Sequence, residues 1–577
     1  MFIKSVQLLD YNMLNFGRFN VIIGPNSTGK STLLCELFFA SAGLNKHPWF
    51  WTQTAVQWGT DDIERDINIF LGSLDKQYIN GGYTYFLSSL RSADGRIQRD
   101  GIELNQMQWD AMQEAKKRVA TQRDAVTSDL MTHALFKKSS VTYEACENRL
   151  LFPENVAVNS LNLPTTDEIN LLYRNKALLA SLNEKFSNQF GLKLVVLDHN
   201  RTNLDFGISQ DNAPQFDYSA EQLTSEYQRV EAWKNRYFTP ISTTGHGIRS
   251  IVRLLLSMVL PHYQIIMIDE PEMHIYPAQK RWLGRQLADL AGKFNKQVFL
   301  ATHDPILLQG VLDSDYTTTI FRADRVDHSR RSLRSCTIEN NADVGAKRNQ
   351  DSYLQCLFYQ RTIVVEGATD RAFYQTMVEE ICSKQIEGKD IGFVSSGGKG
   401  GAIHMAQIAS QIGLNVVFVF DFDVLLFDVP LLQSILQLRN KTTKAVERLK
   451  KYYQDQFNSD QTLIKRASGD ARHTGVESTF VTTHKTLFEE ATNELEDAGI
   501  VTVPFGSLES WASEIDDKAR FAERAPEIIL ADPKLKQRLE GFLSKLLKAV
   551  GCPKPVHQIS SISSDTQQSA RANEKQL

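Results

Sequence analysis

At 577 residues the chain is too long for one ordinary hydrophobic core and calls for roughly two to four domains. Its 42% apolar and 23% charged residues suit a soluble globular protein, and no apolar run reaches the roughly 18 residues that a bilayer span needs. The net charge of -4 neither demands nor excludes nucleic acid, while six scattered cysteines (35, 146, 336, 356, 382, 552) without a CxxC pair argue against a zinc cluster or disulfide scaffold and fit a reducing cytoplasm.

The opening MFIKSVQLLDYN alternates like a strand and lacks the long apolar core of a signal peptide. GPNSTGKS, residues 24–31, then matches G-x-x-x-x-G-K-[ST] between a strand, FNVII, and a helix, STLLCELFFA. Glycines 24 and 29 let backbone N–H groups turn inward around phosphates. Lys30 is placed to reach the β- and γ-phosphates and Ser31 to coordinate Mg²⁺; Gly24, Asn26, Ser27, Thr28, Gly29, Lys30, Ser31 and Thr32 form the expected nucleotide loop. Residues 104–137 and 171–190 read as helical, within an insertion of about 86–190, and LKLVVLD follows as a strand.

From Ile248 to Thr302 helix and strand alternate. IIMIDEPEMHIYP, 265–277, is an apolar strand ending in Asp269, suited to hold a Mg²⁺ ion, and Glu270, suited to orient or deprotonate an attacking water. Some thirty residues later VFLATHDP ends a further strand at His303, within reach of a γ-phosphate.

These motifs resemble the ATP-binding-cassette ATPases, in the branch that includes SMC, RecF and related DNA-handling proteins. That resemblance implies a signature loop, for which STTGHGIRSIVRLLL, with Gly245 and Gly247, is the candidate although it departs from LSGGQ. It also implies a Q-loop, for which Gln53 and Gln57 are weak candidates, and ATP held between two copies of the chain, hence at least a homodimer.

A polar stretch, 339–352, reads as a linker after an ATPase domain of 1–338, and an α/β pattern restarts over 353–556 before a tail, 557–577, of disordered composition. RTIVVEGATDRAFY puts Glu366 at a strand end, and NVVFVFDFDVLL puts Asp421 and Asp423 at another. Strand alternation puts both aspartates on one face, where they either enter solvent at the strand's end or hold a cation; if the neighbouring strand is that of Glu366, three carboxylates converge, a hard-oxygen set suited to Mg²⁺ or Mn²⁺. SSGGKGGAI offers Lys399, either an exposed loop lysine or a contact to a scissile phosphate.

Glu-Gly followed by Asp-x-Asp resembles the TOPRIM domain of topoisomerases, primases and OLD-family nucleases. An ATPase followed by TOPRIM resembles the OLD nucleases, including Gabija-type and retron-associated members, and implies an α/β fold of an ABC-type ATPase plus a TOPRIM domain. The resemblance implies metal binding by Glu366, Asp421 and Asp423. It also implies a later acidic ligand, Glu509 in FGSLESW or else Glu477, and a lysine among Lys534, Lys536, Lys545 and Lys548. Where the family often carries Glu, this chain has Asp370.

Of two basic stretches, 438–453 reads as a phosphate-backbone contact or else a solvated helix face, and 328–335 as another contact or an interface. The expected function is a nucleotide-regulated, divalent-metal-dependent DNA endonuclease in anti-phage defence, with RNA such as tRNA as the alternative substrate. A reverse transcriptase with its DNA, or a helicase, is an implied partner class.

Overall fold

The computed structural model describes the chain apart from 8–12, 42–55, 88–102, 123–140, 158–167, 214–230, 326–330, 339–353, 553–577 and shorter stretches such as Asn26. The expected linker and tail, Gln53 and the end of the 104–137 stretch therefore lie outside the described residues. The chain forms two compact units, Met1–Gln360 with Ile408–Gly413, and Arg361–Gln407 with Leu414–Leu577. No described helix is long and apolar enough to cross a membrane.

The first unit is built on a six-stranded sheet in the order Arg331–Ile338, Thr318–Arg325, Phe19–Ile23, Gln297–Ala301, Ile265–Asp269 and Val141–Glu144. All neighbours pair in parallel except Arg331–Ile338, which is antiparallel. Every residue of Phe19–Ile23 and Gln297–Ala301 is buried, which is why these strands are mostly apolar without alternation, their two polar residues, Asn20 and Gln297, hydrogen-bonded to backbone. The strand order places Gly24 and Thr302 just after, and Asp269 at, the carboxyl ends of three adjacent strands, the edge at which open α/β sheets bind ligands. Helices Pro277–Lys293 and Pro305–Leu312 start on proline, and Asp304 caps the second through Ile306 and Leu307. They meet at Gly310, where a Cβ would lie 2.0 Å from the Arg281 carbonyl.

The region expected to be a helical insertion is mixed. Helix Gln106–Arg118 follows a small antiparallel sheet of Leu74–Ile79, Gly82–Leu87 and Glu103–Asn105, and Val141–Glu144 belongs to the main sheet. The 171–190 stretch divides at Asn175, whose side chain accepts from the Leu178 N–H and starts a new helix, Lys176–Phe190.

The second unit carries a parallel four-stranded sheet in the order Ile391–Ser395, Arg361–Val365, Asn415–Phe420 and Ile500–Thr502. Its core joins these strands to Tyr374, Trp511, Phe521 and Phe542. The Glu366 and Asp421 strands are immediate neighbours. The strand stops at Phe420, however, and Asp423 has helical backbone angles at the start of a short helix, Val424–Phe427. The two aspartates are therefore not paired by strand alternation. A turn brings them together, pinned where the Phe422 N–H donates to the Gly506 carbonyl at 2.6 Å.

Candidate functional sites

The first site is the loop after Phe19–Ile23. Gly24 has φ +145°, and a Cβ there would lie 2.3 Å from the Ala323 carbonyl, so only glycine fits. Gly29 and Ser27 also take positive φ. Thr28 donates to the Pro25 carbonyl, and Lys30 Nζ folds back onto the carbonyls of Gly24 at 2.9 Å and Pro25 at 3.1 Å. Burial lowers the Lys30 pKa, opposed by the charges of Glu270, Asp269 and Glu272. Ser31 and Thr32 are exposed in the first turn of helix Lys30–Ser41, and the Ser31 side chain acts to lower the Asp269 pKa.

Asp269 is pushed toward its neutral form chiefly by burial, with hydrogen bonds from Ser31 and Tyr143 opposing and the Glu270 charge adding. Tyr143 OH donates to it at 3.2 Å. His303 Nδ1 lies 3.3 Å from Glu270 Oε1 and 3.3 Å from Glu272 Oε1. The loop, Ser31, Asp269, Glu270 and His303 thus share one sheet edge. Glu272, which sequence reasoning quoted but did not assign, accepts from Thr302 Oγ1 at 2.7 Å and the His303 N–H at 3.0 Å. It fixes the histidine backbone. A backbone cradle that excludes Cβ atoms, with a lysine and a hydroxyl–carboxylate pair beside it, fits a nucleotide triphosphate and its hard cation.

Gly245 precedes helix His246–Val259 and is exposed, with open space around its Cβ position. A Cβ on Gly247 would meet the His274 carbonyl at 2.6 Å, so this glycine lets the helix approach the segment after Asp269–Glu270. Gln57 lies on strand Gln57–Gly59, where its Oε1 accepts from Ser5.

The second site lies at the edge of the four-stranded sheet. Glu366 Oε1 accepts the Asp421 N–H at 3.2 Å, and the Glu366 carbonyl accepts the Gly398 N–H at 3.1 Å. Asp421 and Asp423 are 8% and 7% exposed. Burial, then the charges of Glu366, Asp370, Asp423 and Glu509, raise the Asp421 pKa to about 8. Glu509 thus belongs to the cluster, whereas Glu477 is exposed and is not among the charges acting on Asp421. Asp370 joins it from the first turn of helix Ala368–Ile386, where it accepts the Gly367 N–H at 3.1 Å.

Arg472, which the sequence did not mark, sets Nη2 4.0 Å from Asp421 Oδ2 and Nε 3.9 Å from Asp423 Oδ2. Among the described residues no three His, Cys, Asp or Glu side chains are gathered tightly enough to hold a metal ion. Burial first, and the neighbouring carboxylates next, favour a proton on Asp421. The donors are hard oxygens, which fits Mg²⁺ or Mn²⁺ in kind.

Lys399 opens helix Lys399–Ile412, and its side chain lies outside the described residues. Of the four candidate lysines on Pro533–Ala549, Lys545 faces Glu496 at 3.4 Å. In the 438–453 stretch Arg439 points inward, donating to the carbonyls of Ala498 and, at 2.6 Å, Val416, and Arg448 pairs with Glu490. Lys441, Lys444, Lys450 and Lys451 remain as its exposed cations. In the other basic stretch, Arg331–Ser335 belong to the antiparallel edge strand of the first unit.

Two family models match the chain. Residues 19–309 match "AAA domain, putative AbiEii toxin, Type IV TA system", and 357–423 match the TOPRIM domain of "Overcoming lysogenization defect protein-like". The chain belongs to the OLD family of ATPase–TOPRIM proteins. This OLD-family chain is 26% identical over 166 residues to an OLD nuclease of Thermus scotoductus, covering 28% of this chain and 31% of that protein. It is 29% identical over 101 residues to protein ea59 of Escherichia phage lambda, covering 17% and 18%. The OLD-family chain thus spans about a third or less of the curated relatives it matches. Among solved structures it aligns with an SMC head bound to the C-winged helix domain of ScpA, at 12% identity and TM-score 0.33, over 59% of this chain and 98% of that one.

Proposed function

We propose that the chain is a nucleotide-regulated, divalent-metal-dependent nuclease that cuts DNA phosphodiesters, acting in defence against phage. The observation that carries this reading is Asp421, buried beside Glu366, Asp370, Asp423 and Glu509 at the ends of two adjacent parallel strands. Glu366, Asp421, Asp423 and Glu509 would hold Mg²⁺ or Mn²⁺. A bound ion of this kind polarises the phosphate, lowers the pKa of water and stabilises the leaving oxygen. The protein's own part is to tie Glu366 and Asp421 together at two neighbouring strand ends, to bring Asp423 beside them from the following turn, and to aim Arg472 at the anionic centre. Its guanidinium suits a phosphodiester oxygen.

In the ATPase unit the Gly24–Ser31 loop would cradle phosphates, with Ser31 and Asp269 on Mg²⁺. Glu270 would orient the attacking water and take its proton as the new oxygen–γ-phosphorus bond forms and the bridging oxygen leaves with ADP, while His303 contacts the γ-phosphate. Two copies of the chain would enclose the nucleotides. Incubation of the full-length protein with plasmid and with total tRNA, with and without ATP, tests the substrate. Mg²⁺- or Mn²⁺-dependent nicking of plasmid that disappears in Asp421→Ala, with ATP binding intact, is the expected result. Cleavage of tRNA alone would replace DNA by RNA, and cleavage unchanged in Asp421→Ala would overturn the nuclease assignment.

A further inference from the structure

Arg149 is fully buried, in a short turn, Asn148–Leu150, that follows the edge strand of the ATPase sheet. Its Nη1 donates to the carbonyls of Glu144 at 2.9 Å and Asp269 at 2.6 Å, and its Nη2 to the Glu270 carbonyl at 2.7 Å. Its Nε donates at 3.1 Å to Ser250 Oγ, on helix His246–Val259. A second bond ties the same turn to that helix, from Arg249 Nη1 to the Leu150 carbonyl at 3.0 Å. The edge strand is clamped to the helix as well: the Glu144 carboxylate accepts from Ser257 Oγ at 2.6 Å and pairs with Arg253 at 3.2 Å.

The grip on Glu270 falls where the backbone is least comfortable. Glu270 has φ +47°, a left-handed conformation that costs a residue with a long side chain free energy and persists only when its surroundings impose it. Three hydrogen bonds hold it: the Glu270 N–H donates to the Ala301 carbonyl at 2.9 Å, and its own carbonyl accepts from Arg149 at 2.7 Å and from the Met273 N–H at 3.2 Å. The turn at Glu270 sets the direction of its carboxylate, 3.3 Å from His303.

We propose that Arg149 is a positioning residue for ATP hydrolysis, holding Glu270 in its left-handed turn and tying that placement to the helix that begins at Gly245. This rests on the ATPase reading of the Gly24–Ser31 loop. Arg149 touches carbonyls and a hydroxyl, and acts on hydrolysis through the backbone of Asp269 and Glu270 and through the helix. A rigid guanidinium fork serves three carbonyls and a hydroxyl at once; an ammonium can replace only part of that.

The experiment is steady-state ATP hydrolysis by the full-length protein, with ATP affinity measured separately. Arg149→Met is expected to lower kcat on the order of 10- to 100-fold with ATP affinity unchanged, because the phosphate loop is untouched. Arg149→Lys should restore part of the rate, and Ser250→Ala, which cuts only Arg149's own bond to the helix and leaves Arg249–Leu150 in place, should lower kcat less. In a Glu270→Gln background Arg149→Met should cause no further loss, an outcome that a general structural role would not give. The proposal is overturned if kcat is unchanged in Arg149→Met, or if the full loss recurs without the Glu270 carboxylate. Should Arg149→Met fail to fold, unchanged kcat in both Arg149→Lys and Ser250→Ala overturns it. A wild-type protein that binds but does not hydrolyse ATP defeats the ATPase reading itself, a separate result.

Discussion

The backbone N–H of Asp421 donates to Glu366 Oε1 at 3.2 Å, so one catalytic candidate holds the peptide of the other across neighbouring strands. The bond fixes the spacing of the carboxylates, yet it leaves the Asp421 side chain among four other acids, where its pKa rises to about 8.

A neutral, isosteric side chain at that position is expected to stabilise the ion-free protein. Asp421 binds its proton more tightly folded than unfolded, so between the usual 3.8 and about 8 the folded state carries more protons and stability falls as pH rises. Asp421→Asn should flatten that fall and raise the midpoint of the second unit's thermal transition at pH 8, by about 2–4 °C for each kcal/mol relieved. It should also abolish nicking. Thermal scans at pH 5 and pH 8 with chelator present check the first claim, and a lower midpoint for the variant at pH 8 would contradict it.

Divalent-ion binding should be linked to the same proton. Holding a metal requires the carboxylate, so affinity for Mn²⁺ is expected to rise from pH 6 to about 8 and level off above, with protons released on binding at pH 7. Titration calorimetry in two buffers of different ionisation enthalpy measures the release. No release at pH 7, or affinity flat across pH 6–8, would count against Asp421 as a ligand.

Lys296 provides a pH signature in the first unit. It is 3% exposed, and although its ammonium donates to the Leu260 carbonyl at 2.6 Å, burial lowers its pKa to about 7. From about 7 to the usual 10.5 the unfolded chain holds the extra proton, so stability rises with pH across that window. Lys296→Met should remove this rise, and denaturant melts at pH 7 and pH 9.5 show whether it does. A rise that persists in the variant would assign it to other groups.

At the phosphate loop, Gly24→Ala puts a Cβ 2.3 Å from the Ala323 carbonyl at a φ of +145°. ATP affinity is expected to fall by roughly 10–100-fold as the cradle deforms, the scale of losing one or two charge-assisted hydrogen bonds. Wild-type affinity in Gly24→Ala would show that the nucleotide does not use this loop.

Much of both sites was legible because their chemistry is local. Gly24–Ser31, Asp269–Glu270 and Glu366 each sit directly after an apolar strand, and a strand followed by a glycine or an acid is visible as a pattern. Asp421 and Asp423 are visible in sequence as a pair, but the pair converges through a turn held by Gly506, some eighty residues away, and not through strand alternation. Arg472 and Arg149 carry no local signal. Each is one basic residue on an ordinary helix or turn, and its role appears only when the chain brings it to carboxylates or carbonyls distant in sequence. The inward turn of Arg439 was hidden for the same reason: charge patterning cannot distinguish a phosphate contact from a cation spent on buried carbonyls.

The central claim is that the Asp421 cluster cuts phosphodiester bonds, and the most direct measurement is plasmid nicking by full-length protein in Mn²⁺ or Mg²⁺, comparing wild type with Asp421→Ala at equal ATP occupancy. Nicking by the wild type, dependent on the divalent ion and lost in the variant with ATP binding retained, is the expected result. Equal nicking by both proteins would contradict it.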